Sequence, residues 1–179
     1  RDLAMIGRTH GQPALPTTLG LKIAGWLDEC LRNRQRLESM QNNLLVSQLF
    51  GGVGTMAALS PQALILLEKF SEKLNLTPPS SSWHNARDRQ AEFLTGLTLL
   101  TGGLARAANE ISQLAKIEYG ELAEPFRQGQ VGSSTMPHKR NPELCEQVIV
   151  LSRLVKGNAA LGLDTLINEH ERDFRTVRT

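Results

Sequence analysis

Residues 17–50 read TTLGLKIAGWLDECLRNRQRLESMQNNLLVSQLF, and no proline interrupts this run. Large apolar side chains recur in it at spacings of three and four positions, while the RNRQR segment at residues 32–36 places charge on another face. This periodicity predicts an amphipathic helix of unusual length. The apolar stripe consists of Leu19, Ile23, Trp26, Leu27, Cys30, Leu31 and Leu37.

Three further helices are predicted on the C-terminal side of this run. The glycines of FGGVG, residues 50–54, should break or bend the first helix, and NLTPPSSSW, residues 75–83, should form a loop. Glycines inside the third helix suggest close packing against neighbouring helices, because each costs about 1 kcal/mol relative to alanine. We find no convincing strand and no repeat, so the sequence predicts an all-α bundle of long helices, one domain over residues 1–179. The predicted helices run from Pro61 (capped by Ser60) to near Asn75, from about Arg87 to Glu121 with Gly96, Gly102, Gly103 and Gly120 inside it, and from Pro142 (capped by Asn141) toward Glu169.

Composition excludes several functional classes. A net charge of +2 and an aromatic content of 4% give little basis for binding nucleic acid. No apolar run reaches the roughly 18 residues of a membrane span, and Cys30 and Cys145 lack metal-site spacing, so we expect reduced thiols in a cytoplasmic protein. The chain opens without an initiator methionine and stops at DFRTVRT, so we expect a fragment of a longer enzyme.

The stretch GQVGSSTMPHKRNPELCEQ, residues 129–147, concentrates glycines, serines and cations at one point of a mostly helical chain. Gly129 and Gly132 favour a mobile loop, and Lys139 lies near the helix start at Pro142, where an anion is favoured. A serine in this setting could remove a proton next to a carboxylate, with the lysine and the helix end stabilising the dianion. A glycine-rich surface loop with a basic tip explains the same residues. The residue types alone leave both interpretations open.

The segment GSSTMPHKRNP, residues 132–142, closely resembles the signature of the fumarase/aspartase superfamily, Gly-Ser-Ser-x-Met-Pro-x-Lys-x-Asn-Pro. A second segment, GRTHGQPALPTT at residues 7–18, is similar to another signature of that superfamily. The resemblance extends over essentially the whole chain, including the long helices. It implies the central helical domain of the superfamily and a lyase or cycloisomerase, for which we expect no cofactor and no metal.

Members of this superfamily eliminate an amine or oxygen group from a succinyl substrate, usually releasing fumarate. By resemblance, Ser133 is the general base that takes the Cβ proton, and His10 is the general acid that acts on the leaving group. Lys139 and Asn141 would hold the substrate carboxylate as the aci-carboxylate forms. Serine is a poor base at neutral pH, so loop closure with desolvation must compensate. The other residues expected to bind substrate are Thr9, Gln12, Ser134, Met136 and Arg172.

The remaining candidates carry weaker signals. A lone histidine is more often structural than catalytic, which is the default for His84 and His138. The EHERD segment at residues 169–173 reads as a solvated polar turn, although the resemblance would place its His170 at the edge of an active site. WHNARDR, residues 83–89, is either a charge cluster at a helix start or an element on the substrate side. No H-E-x-x-H or C-x-x-C spacing occurs, so a metal site is not expected.

Two branches of the superfamily compete. Three features resemble adenylosuccinate lyases: EPFRQGQVGSSTMPHKRNP at residues 124–142, His10 and the HERD motif. Those enzymes, however, continue after the HERD motif with a serine-rich stretch that meets the nucleotide phosphate. This chain has Val177 at a position where serine is expected. QLFGGVGTMAAL at residues 48–59 and WHNARDRQAEF at residues 83–93 are similar to 3-carboxy-cis,cis-muconate cycloisomerases, which add a carboxylate oxygen across a double bond to form a lactone. The sequence favours the cycloisomerase-like branch, although several bacterial cycloisomerases carry tryptophan in place of His10. The alternatives are an adenylosuccinate lyase and a non-catalytic helical assembly protein.

The expected partners are a small di- or tricarboxylate substrate and further copies of this chain, with no nucleic acid and no membrane. The resemblance implies a homotetramer with shared active sites. Each site would combine the His10 segment, the Ser133 loop and a segment N-terminal to this chain, contributed by three different subunits. The apolar residues of the long helices are also too numerous for one narrow seam. Those that need partners are Trp26, Leu27, Leu31, Leu99, Leu100, Ile111, Val148, Leu151 and Val155.

Overall fold

A computed structural model of the chain describes residues 1–59, 61–126, 129, 132–136 and 138–178. The structure is rich in helix and contains one small sheet. Its Cα positions group into two compact units: the first unit comprises Arg1–Asn33 and Leu99–Leu154, and the second unit comprises Arg34–Thr98 and Val155–Thr179. The elements are β1 (Ala4–Thr9), β2 (Gln12–Thr18), α1 (Leu19–Leu44), a short 3₁₀ turn (Ala57–Leu59), α2 (Ala63–Leu74), α3 (Asp88–Leu114), α4 (Glu143–Asp164) and α5 (Phe174–Val177).

The expectation of a chain without strands is wrong for residues 4–18, which form an antiparallel hairpin. Thr9 pairs with Gln12, so a two-residue turn joins the strands, and His10 and Gly11 both have positive φ values, +53° and +74°. Positive φ at both central residues is the geometry that matches the twist of paired strands. The two prolines of β2 concealed the strand in the sequence, since proline is found in strands mainly at edges, and both strands of this sheet are edges.

The four long helices exist, but each is shorter than predicted. Helix α1 covers Leu19–Leu44 rather than residues 17–50, because Thr17 and Thr18 belong to β2 and the Thr18 hydroxyl accepts a hydrogen bond from the Leu21 amide at 3.1 Å. Helix α2 begins at Ala63 and not at Pro61, and the predicted cap Ser60 lies outside the described residues. Helix α3 ends at Leu114 instead of Glu121, and α4 spans Glu143–Asp164 instead of residues 142–169.

The glycines of α3 confirm close packing at two positions. A Cβ on Gly96 would lie 3.0 Å from the sulfur of Met40, and one on Gly103 would lie 2.7 Å from a Glu29 carboxylate oxygen. No heavy atom of the described residues lies within 4 Å of a Cβ built on Gly102. Gly120 is not in the helix; its φ of +61° lies in the turn that follows α3.

The second unit contains a small apolar core and a buried polar contact. Phe50, Met56 and Leu67 are buried against one another. The hydroxyl oxygens of Ser47 and Ser71 lie 2.6 Å apart in the interior, and the Ser71 hydroxyl donates to the Leu67 carbonyl at 2.7 Å, so both buried hydroxyls have hydrogen-bond partners.

The first unit buries few large side chains and leaves many apolar ones exposed. Met5, Leu114 and Cys145 are buried there, whereas Leu27 is 57% and Leu151 is 59% exposed. Ion pairs link α1 to α3 in this unit, Lys22 with Glu110 at 2.5 Å being one of them. No helix in the described part of the chain is both long and apolar enough to cross a membrane.

Candidate active site

The two ends of the signature segment meet in the first unit. A Cβ on Gly132 would lie 2.5 Å from the Lys139 carbonyl oxygen and 3.0 Å from the Phe126 ring, so no larger residue fits there without a shift. The Asn141 side-chain amide donates to the Gly132 carbonyl at 3.0 Å, and the Arg140 guanidinium lies 5.0 Å from the centroid of Phe126. These contacts close the segment into a loop whose base is formed by residues 126, 132 and 139–141.

Ser133 follows Gly132 at the start of this loop, and its side chain is half-buried. Its hydroxyl oxygen accepts hydrogen bonds from the backbone N–H groups of Thr135 and Met136, at 3.4 and 3.2 Å. These two hydrogen bonds fix the direction of the Ser133 hydroxyl oxygen at the start of the loop. Ser134, next in the chain, is exposed. Pro137 of the signature lies outside the described residues.

Helix α4 is capped by Glu124 rather than by Asn141. The Glu124 carboxylate accepts from the amides of Leu144 at 3.2 Å and Cys145 at 2.7 Å, the second and third residues of the helix. The prediction of Asn141 as the cap is therefore wrong, because its side chain is used across the loop at Gly132. Glu124 also occupies helix amides that the sequence analysis assigned to a substrate anion.

The electrostatics at this cap follow from its hydrogen bonds. Burial acts to raise the pKa of Glu124, but the hydrogen bonds from Cys145 and Leu144 outweigh it, and the net pKa is lowered. Burial, helped by the neighbouring Glu124 carboxylate, raises the pKa of the Cys145 thiol to about 11. Cys145 is thus a buried neutral thiol beside an ionised carboxylate, and it is not activated as a nucleophile.

A cavity of about 560 Å³ opens beside the loop, between the C-terminal end of α3 and the start of α4. It brings together three predicted substrate ligands, Met136, Lys139 and Asn141, with His138. Ser133 is not among its lining residues. The described residues that line it are Ser112, Ala115, Lys116, Ile117, Met136, His138, Lys139, Arg140, Asn141, Pro142 and Glu146.

Two charged residues in this wall, Lys116 and Glu146, were missed by the sequence analysis. Glu146 is one helical turn after Pro142, and its amide donates to the Pro142 carbonyl at 3.0 Å, so the i, i+4 spacing could have revealed it. Lys116 lies just after the end of α3. No pattern indicated that it lines a cavity, because the predicted helix continued to Glu121. The cavity therefore presents two lysines, one arginine and one carboxylate, a pattern suited to a substrate with both acidic and proton-donating groups.

The second predicted group of site residues is at the hairpin tip, also in the first unit. Thr9, His10 and Gln12 are all exposed, and His10 occupies the turn itself. Among the described residues, no hydrogen bond or ion pair connects this tip to residues 132–141. The structure of one chain therefore does not bring His10 and Ser133 into direct contact.

Arg172 is in the second unit, in a turn that is only partly solvated. The guanidinium of Arg172 lies 5.5 Å from the Phe174 ring centroid, and His170 has a φ of +55°. The expectation of a solvated turn is wrong for Asp173, which is 8% exposed. Its carboxylate accepts from the backbone N–H of Glu169 at 3.1 Å and from Arg175, whose hydrogen bonds lower the pKa of Asp173.

The segment at residues 83–89 is anchored through its first two side chains. The Trp83 indole N–H donates to the Ser47 carbonyl and a ring nitrogen of His84 lies by the Gly51 carbonyl, each at 2.8 Å. These contacts support the structural role expected of His84. Asn85 donates to the His170 carbonyl at 2.7 Å, which ties this segment to the HERD turn of the same unit.

The cysteines are free thiols, Cys30 half-buried and Cys145 buried. Within the described ranges, no three His, Cys, Asp or Glu side chains are grouped so as to hold a metal ion.

The sequence of this chain matches a known protein family. A family model described as lyase matches residues 1–157 of this chain. A solved structure of 3-carboxy-cis,cis-muconate lactonizing enzyme from Pseudomonas putida superposes with a TM-score of 0.90 at 40% identity, over 99% of this chain and 38% of that one. The helix-rich architecture with its hairpin is thus shared with this enzyme over nearly the whole chain.

Three curated relatives with different names match almost equally well. N-acetyl-S-(2-succino)cysteine lyase from Dickeya dadantii is 41% identical over 97% of this chain and 38% of its own length. Adenylosuccinate lyase from Synechocystis sp. is 42% identical over 97% of this chain and 40% of its length. 3-carboxy-cis,cis-muconate cycloisomerase from Pseudomonas aeruginosa is 42% identical over 97% of this chain and 38% of its own length. The chain spans about two fifths of the length of these relatives.

We predict that Glu124→Gln lowers stability at pH 7 by about 1 kcal/mol, the usual value of a helix cap. Because the pKa of Glu124 is lowered in the folded state, its contribution is present above the ordinary glutamate pKa and is lost as the pH falls through the lowered value. The thermal midpoints of wild type and variant should therefore differ at neutral pH and converge in acid. Equal midpoints at pH 7, or a gap that widens in acid, would contradict the capping role.

Proposed function

We propose that this chain, which belongs to the lyase family, is the part of an enzyme that carries the general base and the carboxylate ligands for an anti elimination or the reverse addition. The reaction takes place at a carbon next to a carboxylate. The observation that carries the proposal is the closed loop at residues 132–141: it combines a serine oxygen that accepts two backbone N–H groups with a lysine and an asparagine that line one cavity.

Ser133 is the proposed base. Removing a proton from a carbon next to a carboxylate creates a dianion, which needs both a competent base and a nearby positive charge. The backbone N–H groups of Thr135 and Met136 fix the direction of the Ser133 hydroxyl oxygen. Lys139 supplies the positive charge in the adjoining cavity. The Cβ proton passes to Ser133 Oγ as the electron pair moves toward the carboxylate.

Asn141 is the second proposed carboxylate ligand. One N–H of its side-chain amide is used by the Gly132 carbonyl, which fixes the side chain at the cavity wall and leaves its second N–H for a substrate oxygen. Ser134 and Met136 complete the loop's proposed substrate contacts. A ligand fixed in this way loses little side-chain entropy on binding, which favours stabilisation of the transition state.

His10 is the proposed general acid for the leaving group, with Thr9, Gln12 and Arg172 as substrate ligands. The exposed hairpin tip is free to enter a site built with another subunit, as a homotetramer with shared active sites requires. The partly exposed helix residues Leu27, Leu31, Leu99 and Leu151 support such an assembly. We place the enzyme in the cytoplasm, with a di- or tricarboxylate substrate and no cofactor.

The most specific form of the proposal is a 3-carboxy-cis,cis-muconate cycloisomerase-like activity. It is supported by the muconate cycloisomerase relative at 42% identity and by the lactonizing enzyme structure at a TM-score of 0.90. The alternative, adenylosuccinate lyase, is supported by a relative of equal identity. A third name, N-acetyl-S-(2-succino)cysteine lyase, describes a succinyl group on sulfur and fits the same base chemistry.

We predict that Ser133→Ala in the full-length enzyme lowers kcat by at least about 100-fold, while KM changes far less, since the base acts in the transition state and the carboxylate ligands remain. Ser134→Ala is the matched control, because it removes the same hydroxyl from the next residue. The control should lower kcat by less than about tenfold. Near-wild-type kcat in Ser133→Ala would remove this residue from its role.

A substrate panel tests the branch. The full-length protein should lactonise 3-carboxy-cis,cis-muconate and release little fumarate from adenylosuccinate or from N-acetyl-S-(2-succino)cysteine, as followed by absorbance. The motivation is the cycloisomerase-like segments at residues 48–59 and 83–93 and Val177 at a position where the resemblance to adenylosuccinate lyases would place serine. Rapid fumarate release from either succinyl compound, with no lactone, would reassign the branch.

A further inference from the structure

The hairpin that carries His10 has few attachments of its own. A two-stranded hairpin is marginally stable in water unless it packs against something, and Gln12 to Pro16 of β2 are all exposed. Its open end is held by backbone hydrogen bonds, the Leu19 amide donating to the Leu3 carbonyl at 2.9 Å. The turn end, where His10 lies, needs a separate attachment if its position is to be fixed.

Arg8 provides that attachment. Its guanidinium donates to the Glu121 carboxylate and lies 4.7 Å from the centroid of the Tyr119 ring. The side chains are 16% and 19% exposed, so the pair is largely removed from water. Among the side-chain hydrogen bonds and ion pairs of the described residues, Arg8–Glu121 is the one that joins the hairpin to a distant segment, while Met5, nearer the open end, is buried. Arg8 is paired with Pro13 in the sheet, next to the Thr9–Gln12 pair that closes the turn.

We propose that Arg8, Glu121 and Tyr119 form a clamp that positions the His10 turn for catalysis. The inference rests on the proposed role of His10 as the general acid. The three residues are positioning residues: they act through the turn and do not touch the reacting atoms.

Two physical considerations favour a positioning role over a purely stabilising one. A largely buried ion pair contributes little net stability, because the desolvation of both charges offsets their attraction, and its better attested use is to specify geometry. His10 also holds a φ of +53°, a left-handed conformation that costs roughly 1 kcal/mol for a residue other than glycine. Such a conformation persists when its surroundings constrain it.

The segment that carries Glu121 also contacts the start of α4. Glu121 binds Arg8, and Glu124, three residues later, caps α4, which follows the loop at residues 132–141. Residues 121–124 of the first unit therefore contact the hairpin of the proposed acid through one carboxylate and the start of α4 through another.

The test uses the full-length protein and two readouts. Amide hydrogen exchange over residues 4–18 reports the order of the hairpin, and kcat and KM are measured on the best substrate of the panel. Arg8→Met removes the charge and keeps an unbranched side chain, Arg8→Lys keeps the charge, and Glu121→Gln removes the acceptor charge. Arg106→Met is the control, since it breaks another arginine–glutamate pair, with Glu29, on helices of the same unit; that pair is more exposed, with side chains 60% and 27% accessible.

We expect Arg8→Met to speed exchange over residues 4–18 and to lower kcat by about tenfold or more with KM changed less than about threefold, as misplacement of a catalytic group does. Arg8→Lys should recover part of kcat. Glu121→Gln should reproduce the loss, and the double variant should be no worse than Arg8→Met, since both act on one contact. Arg106→Met should leave both readouts unchanged.

Unchanged exchange over residues 4–18 in Arg8→Met and Glu121→Gln would overturn the clamp. Faster exchange with unchanged kcat would show an ordinary structural contact and overturn the positioning role. An equal loss of kcat in Arg106→Met would also overturn the positioning role. If the wild type is inactive on the whole panel, the proposed function fails, and the exchange result alone decides whether the clamp holds the hairpin. If Arg8→Met does not fold, Arg8→Lys and Glu121→Gln carry the test.

Discussion

The hydrogen bonds from the first amides of α4 to the Glu124 carboxylate are the constraint on which the candidate site depends. They satisfy two N–H groups of a helix start that would otherwise need water or a ligand. With the helix capped from elsewhere, the Asn141 side chain is released to bind the Gly132 carbonyl and close the loop. The position of the loop base, and therefore of Ser133 and Lys139, is set because Glu124 caps α4 while Asn141 binds Gly132 instead.

The same constraint shapes the chemistry that the loop can perform. An anionic side chain already occupies the helix end, so in the proposed reaction the substrate charge is met by side chains in the cavity, where Lys139 and Asn141 are placed. The cap also places a negative charge beside Cys145, whose thiol is held neutral with a pKa of about 11. Nucleophilic chemistry by Cys145 is therefore disfavoured, since a neutral buried thiol is a poor nucleophile.

The sequence predicted the features that repeat locally. The 3.6-residue periodicity of residues 19–44 and the glycines at Gly96 and Gly103 identified long, closely packed helices, and an ungapped motif identified the loop. The features it missed depend on contacts distant in sequence: Glu124 caps a helix about 20 residues later, and Arg8 binds a carboxylate 113 residues away. The hairpin was missed because Pro13 and Pro16 remove its donors and its exposed face gives no apolar alternation. Helix ends shifted because capping, and not periodicity, determines them.

In the proposed reaction, Ser133 moves a proton at the carbon next to the substrate carboxylate. This step can be followed by running the full-length enzyme in D₂O in the direction that adds the proton and locating the deuterium by NMR. We expect the wild type to place one deuterium at that carbon, on one face, and Ser133→Ala to do so only at the level of the uncatalysed reaction. Deuterium added at the wild-type rate by Ser133→Ala would rule out this role of Ser133, and so would turnover that places no deuterium at that carbon.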